Sequence, residues 1–258
     1  MLVLLPPSEG KTAPAMGSPL DLAALSSPAL NPWREKVLDA LAEASARGDA
    51  IAVLGVGASL ADEVARNVSL RVAPTAPAAH VYTGVLYAAA GLAGLSGAAA
   101  ARASRSVRVV SALWGLVAPD DEIPAYRLSM GVDLPGIGPL ARAWRDPLAA
   151  ELDARGEAEL VVDCRSAAYL AAWRPSRAPQ WVAVRVLREL DGKRSVVSHH
   201  AKHTRGVLTR HLLARAAPEP VDAEQLAAAA GELVGSELHD VELGPAGRGA
   251  RVLSLVVR

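Results

Sequence analysis

Short apolar runs and helix-like repeats alternate along the chain. Leu2–Leu5 is a continuous apolar run whose length is typical of a buried strand, and Pro6 ends it. Val107–Ala112 is a second predicted strand, with an arginine-rich segment leading into it. Between Pro32 and Arg47, apolar residues recur at helical spacing until Gly48. The same criteria predict further helices at 140–152, 167–173, 202–214 and 223–233 and further strands at 159–163 and 251–257.

Three other segments complete the predicted elements. Val182–Leu190 and Ser195–His199 flank Asp191-Gly192, a dipeptide that favours a tight β-hairpin turn. Ile51–Arg66 predicts two short helical pieces, and Val81–Tyr87 fits either a strand or a helix. We therefore expect an α/β fold in one domain over residues 1–258, with a mixed sheet flanked by helices.

Composition adds a constraint on the core and a question about charge. The 258 residues are 51% hydrophobic and include no Phe, so the predicted core is mainly aliphatic. Formal net charge is zero, which is unusual for a nucleic-acid-binding protein. However, residues 185–215 hold eight basic residues against two acidic ones, and residues 216–258 hold seven acidic against three basic. This distribution predicts one basic patch.

Targeting and redox signals are few. The first residues have no basic region before their four-residue apolar run, and no apolar stretch reaches the roughly 18 residues of a membrane helix. Cys164 is the only cysteine, and we expect a small buried residue rather than a nucleophile. A cytoplasmic protein without a membrane partner, resident metal or cofactor is expected.

The segment Leu5-Pro-Pro-Ser-Glu-Gly-Lys11-Thr12 ends like a phosphate-binding loop after a strand. The first glycine of that motif is missing, and two prolines lack the backbone N–H groups that would hold a phosphate. Lys11 at the strand end either faces a cleft and meets an anion or is a solvated turn residue.

A long loop follows the strand at 107–112. It places Asp121, Tyr126 and Arg127 among apolar residues. Arg127 could hold a phosphate or carboxylate with two hydrogen bonds. Alternatively, Asp121 pairs with Arg127 and only braces the loop.

Asp163-Cys-Arg-Ser166 lies between a predicted strand and a predicted helix. Ser166 is a plausible N-cap, and Arg165 adds positive charge at a helix start that favours anions. Further along, Lys202 and Arg205 share a helix face and predict a phosphate contact. His199 and His203 have a metal-ligand spacing, but no third ligand completes a set.

Residues 54–64 contain Gly55 and Gly57 before a short helix. This pattern resembles a helix-hairpin-helix element, at about residues 50–67, in which backbone amides contact a DNA phosphate. An ordinary turn between two helices is the alternative.

Taken together, these segments resemble the YaaA peroxide-stress family. Residues 111–131 match the frame of the family's middle signature, including Ser111, Tyr126 and Arg127. The family's other motifs correspond to Val81–Gly84, Asp163–Tyr169 and Ala201–Gly206. The chain departs from the family pattern at Ala118, Ser129, Asp163 and Ala168.

The resemblance implies a mixed α/β fold with a helix-hairpin-helix element and a basic cleft for double-stranded or branched DNA. It also implies a role in hydrogen-peroxide resistance that limits iron-dependent damage. By resemblance, the cleft cations are Lys11, Arg127, Lys202 and Arg205.

Two functions remain open from the sequence. The first is DNA binding without sequence specificity. The second is an enzyme that acts on a small phosphorylated or nucleotide-like ligand in the same cleft, with Asp163, Tyr126 or His199 as candidate catalytic groups.

Overall fold

A computed structural model describes residues 1–175, 180–196, 199–247 and 249–258; the side chain of His199 lies outside this description. In this part of the chain the strands are β1 (Leu2–Leu5), β2 (Ala76–Pro77), β3 (Val107–Ser111), β4 (Gly115–Val117), β5 (Glu122–Ile123), β6 (Asp133–Leu134), β7 (Gly138–Pro139), β8 (Val161–Asp163), β9 (Trp181–Leu190), β10 (Lys193–Val196), β11 (Asp240–Leu243) and β12 (Arg251–Val257). The helices are α1 (Asn31–Ser45), α2 (Ala50–Val53), α3 (Ala61–Arg66), α4 (Ala78–Val81), α5 (Val85–Ala90), α6 (Gly97–Ser106), α7 (Leu140–Ala143), α8 (Arg145–Ala158), α9 (Ala167–Leu170), α10 (His199–Ala214) and α11 (Ala223–Gly231).

One mixed sheet of eight strands organises the fold. Its order is β11-β12-β9-β8-β1-β3-β4, and β10 pairs with the far end of β9. The strands from β12 to β3 run parallel, whereas β11, β4 and β10 are antiparallel additions. The loops that follow β1, β3 and β8 therefore leave the same edge of the sheet.

The central strand β1 is buried, as its continuous apolar sequence predicts. All four residues of β1 are fully buried, and the largest side chains of the core are Trp114 and Trp144. Long helices cover the sheet, and α10 packs on β9, α5 and α6. None of the described helices combines the length and apolar character that crossing a membrane would take.

Gly206 allows the close packing of α10 on α5. A Cβ atom at this position would lie 2.3 Å from the carbonyl oxygen of Leu86 and 2.8 Å from the Cβ of Ala89. The helices can approach this closely because glycine has no side chain.

Most predicted elements are confirmed. Strands occur at Leu2–Leu5 and Val107–Ser111, and the hairpin turns at Asp191 and Gly192, both with positive φ. The segment Val81–Tyr87 contains the end of α4 and the start of α5, and between these helices Tyr82 forms a β-bridge with Lys11.

Three predicted boundaries were wrong. The strand predicted at Ser195–His199 is observed as β10 at Lys193–Val196, residues 197 and 198 lie outside the described residues, and His199 belongs to α10. The predicted helix 140–152 is two helices, α7 and α8, and the one at 167–173 is the single turn α9. The predicted helix-hairpin-helix element is not confirmed, because the helices α2 and α3 beside its turn have only four and six residues.

Candidate functional site

Polar side chains from distant parts of the chain meet beyond the carboxyl ends of β1, β3 and β8. The loop after β1, residues 6–11, pairs with the segment before α5: Thr12 N–H donates to Val81 O, and Lys11 bridges to Tyr82. In sheets with parallel strands this edge commonly holds ligands.

Lys11 is half-buried in this loop, under two phenol rings. Its Nζ donates to Ser8 O at 2.9 Å and lies 4.2 Å from the ring centre of Tyr126 and 5.8 Å from that of Tyr82. Burial lowers the pKa of Lys11 to about 8; Glu9 opposes this shift, Arg127 adds to it and Glu63 opposes it. Lys11 thus titrates close to neutral pH.

A chain of hydroxyl groups lies beside Lys11. Ser111 Oγ accepts from the N–H groups of Leu113 and Trp114, so its own proton goes to Tyr126, whose hydroxyl is 2.7 Å away. The hydroxyls of Tyr126 and Tyr82 are 3.0 Å apart. Burial raises the pKa of both tyrosines, so both remain protonated.

The chain has four tyrosines, and all of them belong to this region. The ring of Tyr87 packs on Tyr82, and its hydroxyl donates to Pro6 O at 2.8 Å. Burial raises the pKa of Tyr169, and the backbone of Met130 and the side chain of Ser129, one of the positions that departs from the family pattern, oppose this shift. We name the group Lys11, Ser111, Tyr82 and Tyr126 the lysine–tyrosine cluster.

Arg127 joins the loop after β1 to α3. Its guanidinium donates to Glu9 O at 2.9 Å, and it forms ion pairs with the side chains of Glu9 and Glu63 at 3.4 and 3.5 Å. Its backbone N–H and C=O both bond to the side chain of buried Asn67. Arg127 is therefore held in place and largely neutralised.

Lys202, near the start of α10, lines a cavity of about 290 Å³ in front of the same loop. The other walls of the cavity are residues 6–10 and 83–87, which include the hydroxyl side chains Ser8 and Thr83. Lys202 is exposed and has no ion pair with a described residue. It is the cation of this region best placed to meet an anion.

Asp163 and Arg165 bind each other beneath the surface. Arg165 Nε and Nη2 donate to the two carboxylate oxygens at 2.9 and 2.7 Å, and Trp181 Nε1 donates to Asp163 as well. Both side chains are buried. The predicted phosphate contact at Arg165 and the predicted base Asp163 are thus committed to one internal ion pair.

Ser166 stands at the N-cap of α9, as predicted, but its side chain makes no capping hydrogen bond. Arg205 donates to Val184 O at 2.8 Å and therefore braces α10 against β9. Burial raises the pKa of the Cys164 thiol to about 12, and Arg205 opposes that shift. The prediction that Cys164 is a small buried residue is confirmed.

Asp121 braces its loop, but the predicted partner was wrong. Its carboxylate accepts from Ser26 Oγ at 2.6 Å, from Ser26 N at 2.8 Å and from Ala118 N at 2.8 Å, and not from Arg127. Fully buried Arg34 completes the brace by donating to the carbonyl oxygens of Trp114 and Leu116.

The turn with Gly55 and Gly57 is exposed; a Cβ atom at Gly55 would meet open space, and one at Gly57 would lie 3.8 Å from Ser59 Oγ. Gly55 has a φ of 63°, a left-handed conformation that favours glycine. Its N–H donates to Ala52 O. Helix α3, which follows the turn, reaches Arg127 through the ion pair of Glu63.

The basic segment 185–215 is partly neutralised by the acidic segment 216–258. Arg194 forms ion pairs with Asp240 and Glu242, besides Glu189 of its own hairpin, and Arg215 pairs with Glu232. The excess of basic residues in the segment 185–215 therefore does not give the folded surface a correspondingly high positive charge.

Among the side chains that the structure describes, no three His, Cys, Asp or Glu residues are grouped so that they could hold a metal ion. His199, a candidate for metal and base roles, has a side chain outside the description. Sequence reasoning also missed Glu9, Asn67 and the aromatic cluster. The chain has four tyrosines and no phenylalanine, and this composition was the sequence signal that could have drawn attention to the tyrosine cluster.

These features define a mixed-sheet α/β protein with a polar centre at the carboxyl edge of its parallel strands. A family model described as Peroxide stress protein YaaA matches residues 1–232, and the chain belongs to this family. It is 46% identical over 224 residues to a UPF0246 protein of Streptomyces coelicolor, covering 85% of each chain. It is also 42% identical over 217 residues to a UPF0246 protein of Corynebacterium efficiens, covering 82% of this chain and 84% of that one.

Proposed function

We propose that this chain serves the hydrogen-peroxide response by binding double-stranded or branched DNA without sequence specificity, in the cytoplasm. The family description supports the stress role. The observation that carries the DNA role is that Arg127 and Lys202, from distant parts of the sequence, lie against the loop at residues 6–11 that contains Lys11. Cations that occupy DNA phosphates displace counterions, iron among them, and this would limit iron-dependent damage.

The binding surface extends from Lys202 to the turn at Gly55 and Gly57. Lys202 faces the cavity wall that contains Glu9, Glu9 binds Arg127, and Arg127 contacts Glu63 of α3. Arg66, at the end of α3, is exposed. Such groups contact phosphates and do not read bases, so binding would be independent of sequence.

Lys202 is the residue on which a test should focus, because Arg127 is already paired with two carboxylates. We expect Lys202→Ala to weaken binding to a labelled duplex and to a four-way junction by about tenfold, which corresponds to one lost charge-assisted contact. Fluorescence anisotropy at low salt measures this change.

Arg105→Ala is the matched control. Arg105 is an exposed cation just before β3, at the opposite edge of the parallel strands. The Arg105→Ala variant should bind DNA with the same affinity as the unmodified chain. Equal binding by Lys202→Ala and the unmodified chain would overturn the proposal.

A second candidate is an enzyme acting on a small phosphorylated or nucleotide-like ligand, and the half-enclosed cavity of about 290 Å³ favours it. Asp163 is occupied by Arg165 and Tyr126 stays protonated, so neither is ready to act as a base. A thermal-shift screen with nucleotides tests this function. The enzyme function would be favoured over DNA binding if a nucleotide raises the Tm, Lys202→Ala abolishes this rise, and the unmodified chain does not bind DNA.

A further inference from the structure

The cavity beside Lys202 is bounded on one side by the loop after β1, and the carbonyl oxygens of this loop are occupied. Four of its wall residues accept a hydrogen bond on the backbone carbonyl: Pro6 from Tyr87, Ser8 from Lys11, Glu9 from Arg127 and Gly10 from Thr83. A polar ligand in the cavity therefore meets carbonyl groups that are already paired.

The hydrogen-bond donors of the same wall are unoccupied. The hydroxyl groups of Ser8 and Thr83 and the ammonium group of Lys202 donate to no described residue. The backbone N–H groups of Glu9 and Gly10 have no described acceptor either. A cavity that offers donors while its carbonyl acceptors are paired favours an anionic ligand with several acceptor oxygens.

The cations bound to the loop determine where its N–H groups point. None of the described peptide bonds is cis, and the N–H and C=O groups of a trans peptide point in opposite directions. Lys11 binds the carbonyl of Ser8, so the Glu9 N–H of the same peptide group points away from Lys11. Arg127 binds the carbonyl of Glu9, so the Gly10 N–H points away from Arg127. Each cation polarises the peptide group that it binds, which strengthens the N–H as a donor.

The two hydroxyl side chains lie where the loop meets the segment before α5. Ser8 Oγ is so close to Gly84 that a Cβ atom there would be 3.0 Å from it, and a Cβ atom at Gly10 would be 3.7 Å from Thr83 Oγ1. Both hydroxyl side chains are half-buried, and Lys202 is exposed. Donors from three separate parts of the chain therefore line one cavity.

We propose that this cavity binds a phosphate monoester, with Lys202, Ser8 and Thr83 as donors to its oxygen atoms. Such a group has three strong acceptor oxygens and a charge of about −1.5 to −2 near pH 7, so it can use several donors at once. The volume of about 290 Å³ is at the lower end of the range for small-molecule sites. A phosphodiester inside a duplex has a nucleoside on both sides, whereas a monoester has one substituent and can enter a cavity of this size.

Two sources supply this chemistry. One is the terminal phosphate of a DNA strand, which rests on the proposed DNA binding and would direct the protein to strand ends. The other is a free nucleotide, which rests on the second candidate function. Lys202 serves both the DNA surface and the cavity, so a specific test must use the two hydroxyl groups, which the proposed DNA surface does not include.

The test compares matched ligands with and without a phosphate monoester on the full chain. Calorimetric titration compares thymidine 5′-monophosphate with thymidine, and anisotropy compares labelled duplexes that differ only in a 5′-phosphate or 5′-hydroxyl end. In at least one pair we expect the phosphorylated ligand to bind at least about tenfold more tightly, because its hydrogen bonds are charge-assisted. A preference for thymidine monophosphate alone identifies a free nucleotide as the source, and a preference for the 5′-phosphate duplex identifies a strand end.

Three variants locate the binding site. Ser8→Ala and Thr83→Val each remove one hydroxyl group and should reduce the preference for phosphate by about tenfold. Ser96→Ala is the matched control and should leave this preference unchanged, because Ser96 is exposed, lies outside the cavity and makes no capping hydrogen bond. Thermal denaturation checks that each variant is folded.

The proposal is overturned if neither pair shows a preference for phosphate, or if both cavity variants retain the preference in full. A chain that binds neither duplex contradicts the proposed DNA function, and the calorimetric pair then decides the ligand of the cavity alone. The two proposals can therefore fail separately.

Discussion

At the scale of the residue, two fully buried tryptophans differ in one hydrogen bond. Trp144 Nε1 donates to Ala112 O at 2.8 Å, whereas Trp114 Nε1 has no acceptor among the described residues. Substitution by phenylalanine removes the indole N–H group of either tryptophan. Only Trp144→Phe leaves a buried carbonyl group, that of Ala112, without this hydrogen bond. We expect Trp144→Phe to lower the free energy of unfolding by about 1–2 kcal/mol more than Trp114→Phe, as measured by urea denaturation. Equal losses would contradict this hydrogen-bond assignment.

Lys11 predicts a pH dependence of stability at the same scale. Its pKa is about 8 in the folded chain against 10.5 for an ordinary lysine, so the unfolded chain binds more protons between these values. Stability should therefore rise with pH in this window, by about 2 kcal/mol from pH 7.5 to 9.5. Lys11→Met should lack this rise. Urea denaturation measures the free energy of unfolding of both chains at each pH. Because both chains retain the tyrosines, the difference between them isolates the contribution of Lys11. The same pH dependence in both chains would refute the prediction.

At the scale of the element, the contact between α10 and α5 depends on Gly206. A methyl group there would overlap Leu86 O, a backbone atom that cannot move alone. We expect Gly206→Ala to cost about 1–3 kcal/mol of unfolding free energy. Gly231, at the end of α11, has open space around it, so Gly231→Ala should be neutral or stabilising by up to about 1 kcal/mol. Thermal denaturation of the pair measures both effects, and similar Tm values would count against the close approach.

Elements were predictable where local chemistry alone defines them. The apolar run Leu2–Leu5 and the turn at Asp191-Gly192 needed no tertiary information. The start of α10 did not follow from its sequence, since the basic residues near His199 disfavour a helix N-terminus. β11 was missed because its four residues, Asp240–Leu243, carry two acidic side chains and lack a strong apolar pattern, although it pairs with the next strand, β12.

At the scale of the whole molecule, Arg127 and Lys202 lie against the loop that contains Lys11, which agrees with the proximity expected from the sequence. The partners of these cations were not predictable. Glu9 and Glu63 neutralise Arg127 from separate segments. Arg165 is buried with Asp163 two residues away. A residue's type indicates that it can bind phosphate; which of these cations is free depends on tertiary contacts.

This pairing of charges limits how strongly DNA binding can depend on salt. In residues 185–215, the cations without a described hydrogen bond or ion pair are Arg188, Lys193, Lys202 and Arg210. With about 0.9 counterions released per phosphate contact, this segment gives a slope of log K against log salt no steeper than about −4. All eight basic residues together would give a slope of about −7.

Anisotropy titrations over a range of salt concentrations measure the slope. Lys202→Ala should reduce its magnitude by about 1, and Arg194→Ala should leave it unchanged because Arg194 is already paired with three carboxylates. A slope near zero, or near −7, would show that the free cations have been assigned wrongly.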